Sequence, residues 1–172
     1  AKIVLGKHSG RAGFKDALDK LNINLDEESF NSSFETFKRL ADRKGEIVEN
    51  ELRAIVGQVE TSSSEIKLVS VSVNSKDQYA SASVTLDVHG KEITEEAEGD
   101  GMIHAAFTAV KKILQTDATL IDYRVDSITK GADATAEIVT IINDGHNLKQ
   151  GRAVSTDVVQ GSVESFLNAL NR

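Results

Sequence analysis

The sequence contains no cysteine and no proline, and it is poor in aromatics, with six Phe, two Tyr and no Trp in 172 residues. Without cysteine, disulfide frameworks, thiolate metal sites and cysteine nucleophiles are excluded. Average usage of ~5% would have supplied roughly eight or nine prolines. No apolar run approaches the ~18 residues of a membrane-spanning helix, and no stretch reads as a targeting leader. No membrane partner and a cytoplasmic setting are therefore expected. Acidic residues outnumber basic ones, 27 to 20, for a formal net charge of −7. That balance argues against a nucleic-acid partner, because phosphate binding is driven by clustered Lys and Arg.

The chain is 40% hydrophobic and 27% charged. That is enough apolar material for a packed core and far from the composition of a disordered chain. The length allows one domain or two small ones. The sequence opens at Ala1 without an initiator Met and reads as a fragment of a longer polypeptide.

Residues 1–58 carry helical spacing. Ser9 is placed to cap a helix whose apolar positions are Phe14, Ala17, Leu18 and Leu21. Asp26 starts a second helix, with Glu27 and Glu28 in its first turn, where the helix dipole favours negative charge. Its stripe is Phe30, Phe34, Phe37 and Ala41, and its end is basic before Gly45. A short third helix carries Leu52, Ile55 and Val56 and stops at Gly57. The phenylalanines read as the core of this small unit.

The polar run from Gln58 to Ser64 reads as a boundary, after which the period changes to two. Residues 78–88 alternate, with Ala80, Ala82, Val84, Leu86 and Val88 on one side, as in a half-buried antiparallel strand. Residues 66–73 form another strand whose parity slips at Leu68–Val69. His89-Gly90 signals a tight turn into a weaker third strand over 91–98. A helix follows, with Ile103, Phe107, Val110, Ile113 and Leu114 apolar. The second half repeats the plan. It has strands over 119–129, 134–143 and 146–155, a turn at Asp144-Gly145, and a helix over 161–171. A shift of 56 places Phe107 on Val163 and Val110 on Phe166. The reading is an α+β chain with a helical linker subdomain (1–58) and a domain over 65–172. That domain holds two βββα units with antiparallel sheets, 65–116 and 119–172, burying their apolar faces against each other.

No catalytic set assembles. His8, His89, His104 and His146 are scattered, and no metal-ligand spacing, nucleophile elbow or phosphate-binding loop is present. By chemistry alone this is a binding or assembly module. Three segments stand out. GKHSGRAGF at 6–14 is either a capped turn or a helix start where His8 and Arg11 meet an anion. GDGMIH at 99–104 is either a tight strand-to-helix turn or a seat for a ligand carboxylate on backbone N–H groups. STD at 155–157 is either an N-cap or the matching half of a shared pocket.

These segments carry a family resemblance. LGKHSGRAGFKDAL resembles the entry to the linker region of 2-isopropylmalate synthases and their citramalate and homocitrate synthase relatives. GDGMIHAAFTAVKKIL resembles the first helix of their regulatory domain. YRVDSITKGADATAEIVTIINDG resembles the start of its second unit, and GRAVSTDVVQGSVESFLNALNR its closing strand and helix. One departure is GADATAE at 131–137, where many relatives have GTDALGE. The resemblance implies a homodimer that binds an end-product amino acid. It also implies a parent acyltransferase whose barrel, absent from these residues, holds a divalent metal and condenses acetyl-CoA with a 2-oxo acid. The chain itself would carry no cofactor, no metal and no catalytic residue, although His8 and Arg11 would lie near the active site of the partner subunit.

A free amino acid needs carboxylate donors, ammonium acceptors and an apolar slot. Gly101 and the N–H groups after it suit the first. Backbone carbonyls, Asp122 or Asp157 suit the second, and Ile103, Leu120, Tyr123 and Val154 the third. By matching segments, the effector set is Gly101, Ile103, Leu120, Tyr123, Ser127, Val154 and Thr156. Leucine is the first expectation. An isoleucine-sensing citramalate synthase region and a ligand-free dimerisation module are the alternatives.

Overall fold

The helical spacing at the start of the chain becomes three helices in the structure, a computed structural model that describes residues 3–59, 66–131 and 133–171. A short strand β1 (Ile3–Gly6) leads to α1 (Arg11–Lys20) and α2 (Glu27–Lys44). Strand β2 (Glu46–Val48) then pairs antiparallel with β1, and α3 (Glu49–Val59) follows. The two strands were not foreseen, because three or four residues are too few to show a period. Asp26 caps α2 as expected, its Oδ1 accepting from Ser29 N at 2.7 Å. Ser9 does not cap α1. The cap is Gly10, and Ser9 Oγ accepts from Gly6 N at 3.2 Å instead. Helix α3 runs past Gly57 to Val59; of the expected boundary, residues 60–64 lie outside the described residues.

The aromatic stripe is the core of this linker. The ring of Phe14, fully buried, lies 5.4, 5.6 and 5.1 Å from those of Phe30, Phe34 and Phe37. Arg11 closes the cluster from outside, with its guanidinium 5.2 Å from the Phe30 centroid and 5.1 Å from that of Phe34, and a hydrogen bond to Asn31 Oδ1. Its charge is engaged by ring faces.

Two βββα units follow. The first is β3 (Ile66–Lys76), β4 (Tyr79–Val88), β5 (Lys91–Gly99) and α4 (Met102–Leu114). The second is β6 (Thr119–Ser127), β7 (Ala136–Asn143), β8 (Leu148–Ser155) and α5 (Val158–Leu170). Each sheet is antiparallel, in the orders β3-β4-β5 and β6-β7-β8. The parity slip at Leu68–Val69 is a β-bulge between Leu68 and Ser70, and β6 carries its counterpart between Leu120 and Asp122. His89 and Gly90 turn with φ of 52° and 88°, matching the right-handed strand twist. The second hairpin is wider. Asp144 accepts from His146 N and Asn147 N, and β8 starts only at Leu148. Helix α5 starts three residues before the expected Gly161, because Asp157 caps it by accepting from Val159 N and Gln160 N.

One cluster of buried side chains joins both units, with the Phe107 and Phe166 rings of α4 and α5 stacked 4.4 Å apart. Small residues set how closely helix meets sheet. In unit one these are Ala80, Ala82 and Ala97 in the sheet with Ala105, Ala106 and Ala109 of α4. In unit two Gly151 lies so close to α5 that an added Cβ would stand 2.0 Å from Ser165 O. A second cluster fills the linker, and Ile128 and Val154 of unit two pack into it. No helix among the described residues is long and apolar enough to cross a membrane.

Candidate effector site

Helix α4 begins without a side-chain cap. Gly101 is its N-cap residue, in an extended conformation (φ −160°, ψ 167°), and offers no acceptor to the first N–H groups of the helix. Such a start carries orphan donors and the positive end of the helix dipole. Ile103 lies one turn before Phe107 on the same helix face. The Phe107 ring meets Tyr123 of β6 edge-on at 6.3 Å, and Tyr123 OH bonds Ser162 Oγ of α5 at 2.7 Å. Phe107, on the same face of α4 as Ile103, thus reaches Tyr123 and through it Ser162.

Leu120, Tyr123, Val125 and Ser127 lie on the face of β6 that looks toward the helices, opposite Ile142, Thr140, Ile138 and Ala136. That face is thinly covered. Helix α5 packs across to β3, whereas α4 makes no comparable contact with β6. Leu120 and Val125 are accordingly 39% and 40% exposed, while Leu68 and Val73 at the corresponding places on β3 are partly buried. The two units therefore differ at the same place. In unit two the helix start is capped by Asp157 and the facing strand is covered. In unit one the helix start is uncapped, and Leu120 and Val125 of β6 are left exposed.

The rest of the expected set lies elsewhere. Val154 follows Ala153 on β8, so its side chain faces the other way, into the linker core beside Leu52 and Ile55. It does not share a slot with Ile103 and Tyr123. Thr156 lines a small cleft of about 40 Å³ between α2 and α5, with Arg39, Arg43, Gln160 and Glu164. Its Oγ1 is buried there with no hydrogen-bond partner among the described residues. Ser127 stands four residues along β6 from Tyr123, ~13 Å at strand rise. Neither aspartate suits the ammonium. Asp122 is on the opposite face of β6 and bonds Tyr123 N, while Asp157 is held by its cap. Backbone carbonyls remain from that expectation. Phe107 and Ser162, absent from the expected set, join its parts. Only the spacing of Phe107 from Ile103 could have signalled the first.

In the cleft beside Thr156, burial raises the Glu164 carboxyl above its ordinary 4.5, more than Arg39 and the Gln160 hydrogen bond lower it. Folding then favours the protonated acid. The stability this group gives is complete below about 4.5 and is lost as pH rises through the higher folded value. Glu164→Gln, neutral throughout, should melt above the parent at pH 7, with the gap shrinking toward pH 4. Melting curves across that range check it, and a gap that widens toward pH 4 contradicts it.

His8 is exposed and lines a shallow cleft with Gly6, Lys7, Ser9, Lys44, Gly45 and Glu46. No three His, Asp or Glu side chains come together as metal ligands among the described residues.

Comparison with known proteins covers the whole chain. Residues 1–45 match the family described as homocitrate synthase post-HMGL domain-like. A 2-isopropylmalate synthase of Dechloromonas aromatica (strain RCB) is 41% identical over 99% of this chain, which spans 34% of that relative. One from Acidimicrobium ferrooxidans is 40% identical over 100% of the chain and 34% of the relative, and one from Ruminiclostridium cellulolyticum is 36% identical over 99% and 34%. The chain thus spans about a third of the length of the curated relatives it matches. Residues 46–172, which hold both βββα units, match the family described as LeuA allosteric (dimerisation) domain, and the chain belongs to that family.

Proposed function

We propose that this chain is the feedback-regulatory and dimerisation region of a 2-isopropylmalate synthase, and that it binds leucine. In this reading the parent protein condenses acetyl-CoA with a 2-oxo acid in an N-terminal barrel that holds a divalent metal, and leucine lowers that activity. The observation that carries the reading is the difference between the units: an uncapped start of α4 and an exposed apolar face on β6, joined by the Phe107–Tyr123 ring contact, against a self-capped α5 that packs on β3. The orphan N–H groups at Gly101 suit the effector carboxylate, and Ile103, Leu120 and Tyr123 suit its side chain. Leu120, Val125 and the bulged Ile121, 53% exposed, are apolar surface that a second copy would cover around a two-fold axis. His8, exposed beside the Gly6–Ser9 turn, is the linker residue assigned to the active site of the partner subunit. Arg11, the other linker residue expected there, is held against Phe30, Phe34 and Asn31 of α2.

Calorimetry of this chain against leucine, isoleucine, valine and lysine tests the proposal. One leucine per chain is expected. A displaced methyl costs about 1–3 kcal/mol, so isoleucine should bind ~10–200-fold more weakly. Preference for isoleucine would select the citramalate synthase reading. Binding of none of the four would select a ligand-free dimerisation module.

A further inference from the structure

Glu51 is a fully buried carboxylate in the first turn of α3. Its Oε1 accepts from Val48 N at 3.0 Å, which closes the helix start. Its Oε2 takes two other donors: Lys44 Nζ, at the end of α2, and Thr135 Oγ1, in unit two. Lys44 Nζ also donates to Thr135 Oγ1 at 3.0 Å. Three groups from three parts of the chain thus share one buried cluster, to which Thr135 brings the regulatory units.

Thr135 belongs to the corner between β6 and β7. Its carbonyl accepts from Ile128 N at 2.8 Å, and its own N donates to Thr129 Oγ1 at 2.9 Å. Ile128, next after Ser127 on β6, packs into the linker core. The strand that bears Tyr123 and Leu120 therefore ends in a corner fixed twice to the linker, by an apolar side chain and by a charged cluster. Because Glu51 also holds the start of α3, a shift of Thr135 displaces the acceptor that sets where that helix begins.

We infer that the β6–β7 corner is the joint through which an effector on β6 acts on the linker, with Thr135 as the positioning residue. This rests on the proposed effector reading. A ligand transmits nothing unless it favours one of two arrangements. Here the two arrangements differ in whether the Thr135 hydroxyl is engaged by Glu51 and Lys44 or released from them, so that the linker moves apart from the corner.

The test is Thr135→Val in the full-length protein that carries this chain. The change keeps the branched shape and the Lys44–Glu51 pair and removes only the hydroxyl. Leucine affinity by calorimetry is expected within about three-fold of the parent, with turnover without leucine unchanged. Inhibition at saturating leucine should fall to less than half of the parent's, and Thr135→Ser should restore it. In the parent, leucine should change hydrogen exchange at residues 48–52, and in the Val variant it should not. Full inhibition in the Val variant, loss of binding together with inhibition, or no rescue by Ser overturns the joint. If the Val variant does not fold, Glu51→Gln is read in the same way, and retained inhibition there overturns it too. A parent that binds no leucine fails at the effector reading itself, which the calorimetry shows before any variant is made.

Discussion

Gly101→Asp should abolish the response to leucine while leaving the fold intact. A Cβ at Gly101 meets nothing within 4 Å, and the extended backbone there accepts any residue. The new carboxylate would lie at the N-cap of α4, where Asp157 lies at that of α5. It would accept from the same N–H groups, gaining a few tenths of a kcal/mol over glycine. An effector carboxylate would then lose its donors and meet a like charge. Hydrogen bonds to charged groups are worth about 1.5–3 kcal/mol, so affinity should fall about 100-fold or more. In the full-length protein, turnover should stay within a few-fold of the parent. A variant that melts with the parent and still responds at the original leucine concentration would place the effector elsewhere.

Gly151→Ala should be the most damaging single-methyl change in the second unit. The added Cβ would stand 2.0 Å from Ser165 O and 2.3 Å from Ala169 N, both backbone atoms of α5. No rotamer relieves this, so α5 must lift off β8. That would loosen the buried Thr140–Ser165 hydroxyl pair and the stacked Phe107–Phe166 rings. Overpacking of this kind costs about 3 kcal/mol or more, which lowers the melting temperature by about 6–12 °C in a domain of this size. Gly57→Ala makes the contrast. In α3 its Cβ meets nothing within 4 Å, and the change should stabilise by up to ~1 kcal/mol. Equal melting temperatures for the two variants would contradict the close packing of α5 on β8.

The two βββα units were legible because alternation and helical spacing are local signals, and eight or more residues of either define a face. The parity slip at Leu68–Val69 is visible for the same reason, and the structure shows it to be a bulge. Only part of the proposed site is legible in the sequence. Gly101 and Ile103 follow from a strand-to-helix turn, and Tyr123 from its strand. Val154, expected in the apolar slot, packs into the linker core instead, since one residue of parity decides which face a strand side chain takes. Asp157 offered both a cap and a ligand role, and only the position of Val159 and Gln160 over its carboxylate decides between them. Glu51 was invisible. In sequence it is one more acidic residue at a helix start, and one of its hydrogen-bond donors, Thr135, lies 84 residues away. The demand for glycine at position 151 is equally non-local, because it is set by the helix that crosses the strand.

Amide hydrogen exchange of this chain with and without saturating leucine tests the central claim most directly. The account predicts that leucine slows exchange at the N–H groups of Met102, Ile103 and His104 and along β6 from Leu120 to Val125. It predicts no comparable change at Val159 and Gln160, whose N–H groups are already held by Asp157. Leucine-dependent protection that appears at the start of α5 and leaves the start of α4 unchanged would contradict it.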